Sequence, residues 1–68
     1  MEINNTLIEK WTALKSPEDI GKIAERAGVS GQCVRNAFKD KRCSTNVFEA
    51  MATYYKEKAE RLKEFIQL

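Results

Sequence analysis

Sixty-eight residues leave room for one domain with a small core, and domains of that size often gain stability from a partner subunit. Hydrophobic residues make up 43% of the chain and charged residues 32%, with a formal net charge of +2, so a soluble globular domain is expected and overall charge alone does not point to a nucleic acid. The lack of histidine excludes imidazole acid–base chemistry, two cysteines alone make a poor metal site, and no apolar run is long enough to span a membrane; no cofactor, small-molecule ligand or membrane partner is expected.

Residues 1–14 lack a basic stretch followed by an apolar one. No secretion signal is therefore expected, and Cys33 and Cys43 are expected as reduced thiols in a cytoplasm. In the first helix, Leu7, Ile8, Trp11 and Leu14 follow helical spacing, and Thr6 with Glu9 has capping-box spacing, which predicts a start near Thr6. Pro17 ends it by disfavouring helical geometry at Ser16. For the second helix, Ser16 is the predicted cap and Pro17 the first helical position, with Glu18 and Asp19 at the positive end of the dipole. Its inner face is Ile20, Ile23, Ala24 and Ala27, and Gly28 stops it. A third helix follows the Ser30 cap, with Val34, Ala37 and Phe38 inward. The fourth begins around Ser44 to Asn46, where Asn46 and Glu49 have capping-box spacing, and runs uninterrupted to about residue 67. No segment alternates apolar and polar residues long enough to predict a strand. The expected fold is all-α: a single domain over residues 1–68, a small helix-turn-helix bundle of about four helices, with the helix-turn-helix at 17–40 and a long C-terminal helix at about 45–67.

The informative stretch is residues 20–39, IGKIAERAGVSGQCVRNAFK. It needs a small Ala24 where the next helix crosses, Gly28 for a sharp turn, and Val29 to fill the angle between the helices. With Val34, Ala37 and Phe38 inward, Gly31, Gln32, Arg35, Asn36 and Lys39 are expected to point outward. Gln32 and Asn36 can each pair with adenine, and Arg35 can grip guanine or a phosphate. Ser30, Lys39, Lys41, Arg42 and Lys22 are the expected phosphate contacts, Lys22 being the most evenly balanced with a solvated charge. From Ile20 to Cys43 six cations face two anions, so the positive excess sits in the middle third. The helix N-terminus at 17–19 offers a further backbone N–H contact to a phosphate, opposed by the charges of Glu18 and Asp19.

On these residues the segment resembles the helix-turn-helix of the lac repressor family and of the wider lambda-repressor and Cro-like group. The closest stretch is Ile23-Ala24-Glu25-Arg26-Ala27-Gly28-Val29-Ser30, with Gln32 and Val34. The resemblance implies a helical bundle whose third helix enters the major groove. The chain departs from the lac-type pattern at Gly31, where a larger base-contacting side chain is common, and in continuing as a long helix without a hinge or sugar-binding domain. A phage-like or plasmid-like repressor is the better comparison.

In the fourth helix, Phe48, Ala52, Tyr55, Ala59, Leu62 and Ile66 follow alternating steps of four and three. The N-terminal half covers the core. The C-terminal half exceeds what so small a core can cover, so Tyr55, Ala59, Leu62, Phe65 and Ile66 are the expected homodimer contacts, although Tyr55 also suits core packing. Trp11 is expected in the core and Cys33 as a partly buried filler. The functional expectation is a non-enzymatic, dimeric regulator binding a double-stranded DNA operator, most simply a repressor. The alternative is a helix-turn-helix module that binds a partner protein through the exposed end of the fourth helix.

Overall fold

A computed structural model describes residues 1–67, with side chains described as far as Lys63. Four helices follow in order: α1 (Asn5–Leu14), α2 (Asp19–Ala27), α3 (Gly31–Asp40) and α4 (Thr45–Gln67). There is no strand among the described residues, and the fold is the expected all-α bundle with a long C-terminal helix.

The apolar faces read from spacing meet in one core. Ile8, Trp11, Ile20, Ile23, Ala24, Val34, Ala37, Val47, Ala50, Met51, Tyr54 and Tyr55 are buried, with Leu7, Leu14, Val29 and Phe38 packed against them. Trp11 stacks on Tyr55, ring centroids 5.8 Å apart, and Phe38 meets the same tyrosine edge-on at 6.2 Å. These pairs join α1, α3 and α4 and are the arrangements that aromatic quadrupoles favour.

The helix starts differ from expectation in informative ways. Asn4, not Thr6, caps α1: its Oδ1 accepts the Thr6 N–H at 2.7 Å. An asparagine two residues ahead makes this short bond without the longer reach a capping box needs. Pro17 and Glu18 form a turn ahead of α2, closed by the Asp19 N–H donating to the Ser16 carbonyl at 3.1 Å. The Ser16 hydroxyl does not accept from α2; it and the Ser16 N–H both donate to the Asp19 carboxylate, at 3.0 and 2.9 Å. The third cap is as expected, the Ser30 Oγ accepting the Cys33 N–H at 3.3 Å. At α4 the cap is Ser44, whose Oγ accepts the Val47 N–H at 3.4 Å.

The N-terminal arm has no sequence counterpart among these expectations. The Ile3 N–H donates to the Lys41 carbonyl at 2.8 Å and the Cys43 N–H to the Met1 carbonyl at 3.0 Å. This single antiparallel bridge straps the arm over the α3–α4 loop and drives Ile3 into the core, where it is buried. The loop needs an anchor because Lys41 stands at φ 57, a left-handed conformation unusual for a side-chain-bearing residue.

At about 1.5 Å per residue, the 23 residues of α4 span roughly 35 Å, close to the 36 Å longest dimension of the molecule. Its first half packs on α1 and α2. Every described side chain beyond Lys58, at positions 59–63, is exposed.

Candidate nucleic-acid interface

Gly28 sets the geometry between α2 and α3. It stands at φ 71, ψ 34, the left-handed region, with open space around the position a Cβ would take. Its N–H donates to the Glu25 carbonyl at 3.3 Å, and the Val29 N–H reaches back to the Ala24 carbonyl at 3.0 Å. This is a Schellman closure, which satisfies the last carbonyls of α2 and turns the chain sharply. Val29 is half-buried in the resulting angle, and Ala24, Ile23 and Val34 fill the space between the helices.

The outer face of α3 then carries Gln32, Arg35, Asn36 and Lys39, all exposed. The Gln32 Nε2 donates to the Asn36 Oδ1 at 3.0 Å across one turn, so each amide orients the other. That bond leaves the Asn36 N–H donors and the Gln32 carbonyl acceptor uncommitted within the pair, the groups that base edges in a major groove complement. Cys33, expected as a partly buried filler, is exposed. Gly31 is a correction: a Cβ there would meet the Ile20 Cγ2 at 3.5 Å. It shares the inner face with Val34 and Phe38 and turns toward α2, not outward.

The cations divide into two groups. Among the described residues, ion pairs involve only Arg26, with Glu57 at 3.5 Å, and Lys58, with Asp19 at 2.9 Å. Arg35, Lys39, Lys41 and Arg42 are exposed and in neither pair. Lys41 and Arg42 share a depression with Glu2 and Asp40, which dilutes the positive charge of that loop. Lys22 is a second correction. It borders the groove between α2 and α4 with Glu18, Tyr54, Lys58, Arg61 and Leu62, on the side where Arg26 pairs with α4, and is not beside the outer face of α3. Ser30 is exposed, with its hydroxyl engaged as the α3 cap.

Sequence reasoning missed two features. The first is Lys15, whose ammonium lies over the Phe38 ring, 4.7 Å from the centroid, bringing the end of α1 alongside α3. The second is Asp19. It has no solvent exposure and accepts from the Tyr54 hydroxyl at 2.5 Å, the Tyr55 hydroxyl at 3.1 Å, the Lys58 ammonium at 2.9 Å, and Ser16. Burial by itself pushes its carboxyl up, but the bonds from Tyr54, Lys58 and Ser16 outweigh that and hold it well below the usual carboxylate range. Burial and the bonded carboxylate push Tyr54 up to about 12, and Tyr55 is raised by the same two causes. The Lys58 Nζ also donates to the Ser16 Oγ at 2.8 Å. The same Nζ bonds both Asp19 carboxylate oxygens, so Ser16, Asp19 and Lys58 form one hydrogen-bonded cluster. Asp19 consequently does not oppose an anion at the surface, contrary to the expectation from its place in the first turn of α2. No buried side-chain polar atom among the described residues lacks a partner.

The expected dimer contacts separate. Tyr55 is a third correction: it is 1% exposed, enclosed by Trp11, Phe38 and Tyr54, and offers no surface to a second chain. Ala59 is exposed, and Leu62, at 41%, is one of two exposed large hydrophobic side chains among the described residues. The side chains of Phe65 and Ile66 lie outside the described residues. Cys33 and Cys43 are free thiols, and burial raises the latter.

No family model matches the chain, and no curated protein or solved structure matches it.

Proposed function

We propose that this chain is a sequence-specific double-stranded-DNA-binding protein, acting without a catalytic step as a dimeric repressor of the phage or plasmid kind. The observation that carries this reading is the outer face of α3. There an interlocked Gln32–Asn36 amide pair stands between cations that are in no ion pair among the described residues, on a helix oriented by the Gly28 turn. The amides suit base edges, and Lys39, Lys41 and Arg42 suit phosphates, which fix position without carrying sequence information. The exposed end of α4, with Ala59 and Leu62, is the surface through which two copies associate. A two-fold axis there sets two α3 helices against half-sites roughly 34 Å apart.

Selection of bound duplexes from a random DNA pool tests both parts. The expected outcome is a symmetric motif with two half-sites about one helical turn apart. Enrichment of no sequence, with binding insensitive to salt, refutes the reading. The second reading, a protein-binding module, is favoured by the apolar groove that Leu7, Trp11 and Leu14 form with Ala52 and Ala59 between α1 and α4. Failure to bind any duplex together with retained self-association would move the assignment there.

A further inference from the structure

We propose that Lys15 and Arg35 form a two-cation clamp for a single phosphodiester, and that Arg35 therefore grips the backbone and does not read a base. The inference rests on the DNA-binding reading for the source of the phosphate, but not for the anion site itself.

The two residues come from different elements. Lys15 is the first residue beyond α1, in extended geometry (φ −64, ψ 136), and Arg35 sits in the middle of α3. With Ser16, Pro17 and Ile20 they line one shallow depression at the corner where α1 and α2 meet α3. Lys15 is not a freely swinging surface charge: its ammonium is docked over the Phe38 ring at 4.7 Å. A cation in that position is attracted by the ring face, and Phe38 is three residues from Arg35 on the same helix. That contact restrains the side chain before any ligand arrives, which lowers the ordering entropy that a flexible lysine would lose on binding.

No carboxylate lines this depression. Glu18 borders the opposite groove, toward α4. Asp19, next in the chain, is fully buried and saturated by Ser16, Tyr54, Tyr55 and Lys58. Two like charges share a concavity with no counter-ion among the lining residues, and an anion between them relieves their repulsion. Two backbone positions of the α2 turn offer no donor here. Pro17 has no N–H, and the Asp19 N–H is already bonded to the Ser16 carbonyl. The side chains of Lys15 and Arg35 take the role that free backbone donors at a helix start otherwise fill. A guanidinium fork and a point-like ammonium together suit the two unesterified oxygens of a phosphodiester.

Two measurements test the clamp. In the first, affinity for a selected duplex is followed against salt for the parent, Lys15→Ala, Arg35→Ala and the double variant, with thermal melts to confirm folding, since both residues are exposed. Because both grip one phosphate, the double variant should lose about 0.9 from the log–log salt slope, not twice that. The bases selected from a random pool should be the same for all four proteins. A changed base preference in Arg35→Ala overturns the clamp, as does an unchanged affinity and slope in Lys15→Ala. The second measurement titrates inorganic phosphate while observing the Lys15 and Arg35 side chains by NMR. Coincident shifts that Lys15→Ala abolishes support the anion site even if the parent binds no duplex, in which case only the DNA reading fails. Failure of phosphate to shift either side chain overturns the clamp while leaving duplex binding to be judged separately.

Discussion

Replacing Asp19 should be the most damaging single change to this fold. Asp19→Ala strips the acceptor from five donors at once: the Ser16 N–H and hydroxyl, the Tyr54 and Tyr55 hydroxyls, and the Lys58 ammonium. Removing one partner of a buried ion pair costs about 3–5 kcal/mol. The lower end applies, because the Lys58 side chain is 19% exposed and can turn its ammonium to water, whereas the two hydroxyls cannot follow it. A chain of this length has a total stability of roughly 3–10 kcal/mol, so a loss of about 3 kcal/mol lowers the melting temperature by about 12–24 °C. Asp19→Asn keeps the volume but turns an amide donor toward donors, and should fall between the parent and the alanine variant. The pH dependence separates the charge from mere packing. The folded carboxyl is held below its unfolded value of about 3.9. Its contribution is therefore complete above pH ~4 and is lost as pH falls through the range below that. Urea melts at pH 7 and in steps from pH 4 to 2 should show the gap between the parent and Asp19→Asn closing as acid is added. A gap below about 1 kcal/mol at neutral pH, or one that does not move with pH, would refute the claim that this buried carboxylate ties α2 to α4.

The remaining predictions concern the alkaline limb, the turn, the α3 face and the α4 end. Tyr54, pushed up to about 12, and Tyr55, also raised, should remain unionised in the folded protein at a pH just above 10 where unfolded tyrosines ionise; tyrosinate absorbance measures this, and stability should fall as pH climbs through that range. Gly28→Ala should cost about 1–2 kcal/mol in urea unfolding although the site is open, because the penalty lies in φ 71 and not in space. Gln32→Ala and Asn36→Ala should each relax base preference at a cost of about 1–3 kcal/mol. They should also be non-additive in a double-mutant cycle, because each amide orients the other; additive effects with an unchanged preference would remove them as readers. Leu62→Glu should leave the melt of the single chain nearly unchanged, since the side chain is exposed, while sedimentation shows the dimer weakened.

What the sequence made legible was local. A glycine after a helical pattern, a serine before the next one, and apolar residues at steps of three and four each act within a few residues, and α2, the Gly28 turn, the Ser30 cap and α3 follow from them. Asp19 illustrates the limit. In the first turn of a helix, an aspartate reads as a surface partner for the dipole, and nothing nearby shows that its ligands lie 35 to 39 residues away on α4. Lys15 over Phe38 and Ile3 under the α3–α4 loop are long-range in the same sense. Tyr55 shows a different failure. The step pattern that placed it in a dimer seam is equally that of a core face, and the deciding fact is that Trp11, from another helix, covers it.

The buried carboxylate also bears on how the proposed DNA face and the proposed dimer surface relate. Asp19 opens α2, and its donors Tyr54, Tyr55 and Lys58 lie on consecutive turns of α4. The next residues of that helix are the exposed ones offered to a second copy. α2 in turn fixes α3 through the Gly28 closure. A displacement of α4 would therefore have to carry α2 and α3 with it or break bonds that leave buried hydroxyls without acceptors, at about 1–3 kcal/mol each. That rigidity is what a two-fold binder needs, because the spacing of its half-sites is a fixed property of the duplex. A flexible joint between the reading helix and the dimer helix would spread the two α3 helices over many separations and dissipate affinity in ordering them. An Asp19→Asn protein that still folds and still dimerises should for this reason tolerate altered half-site spacing better than the parent, while binding the optimal spacing less tightly. Equal discrimination between spacings by the two proteins would show that the orientation is held by the apolar core alone.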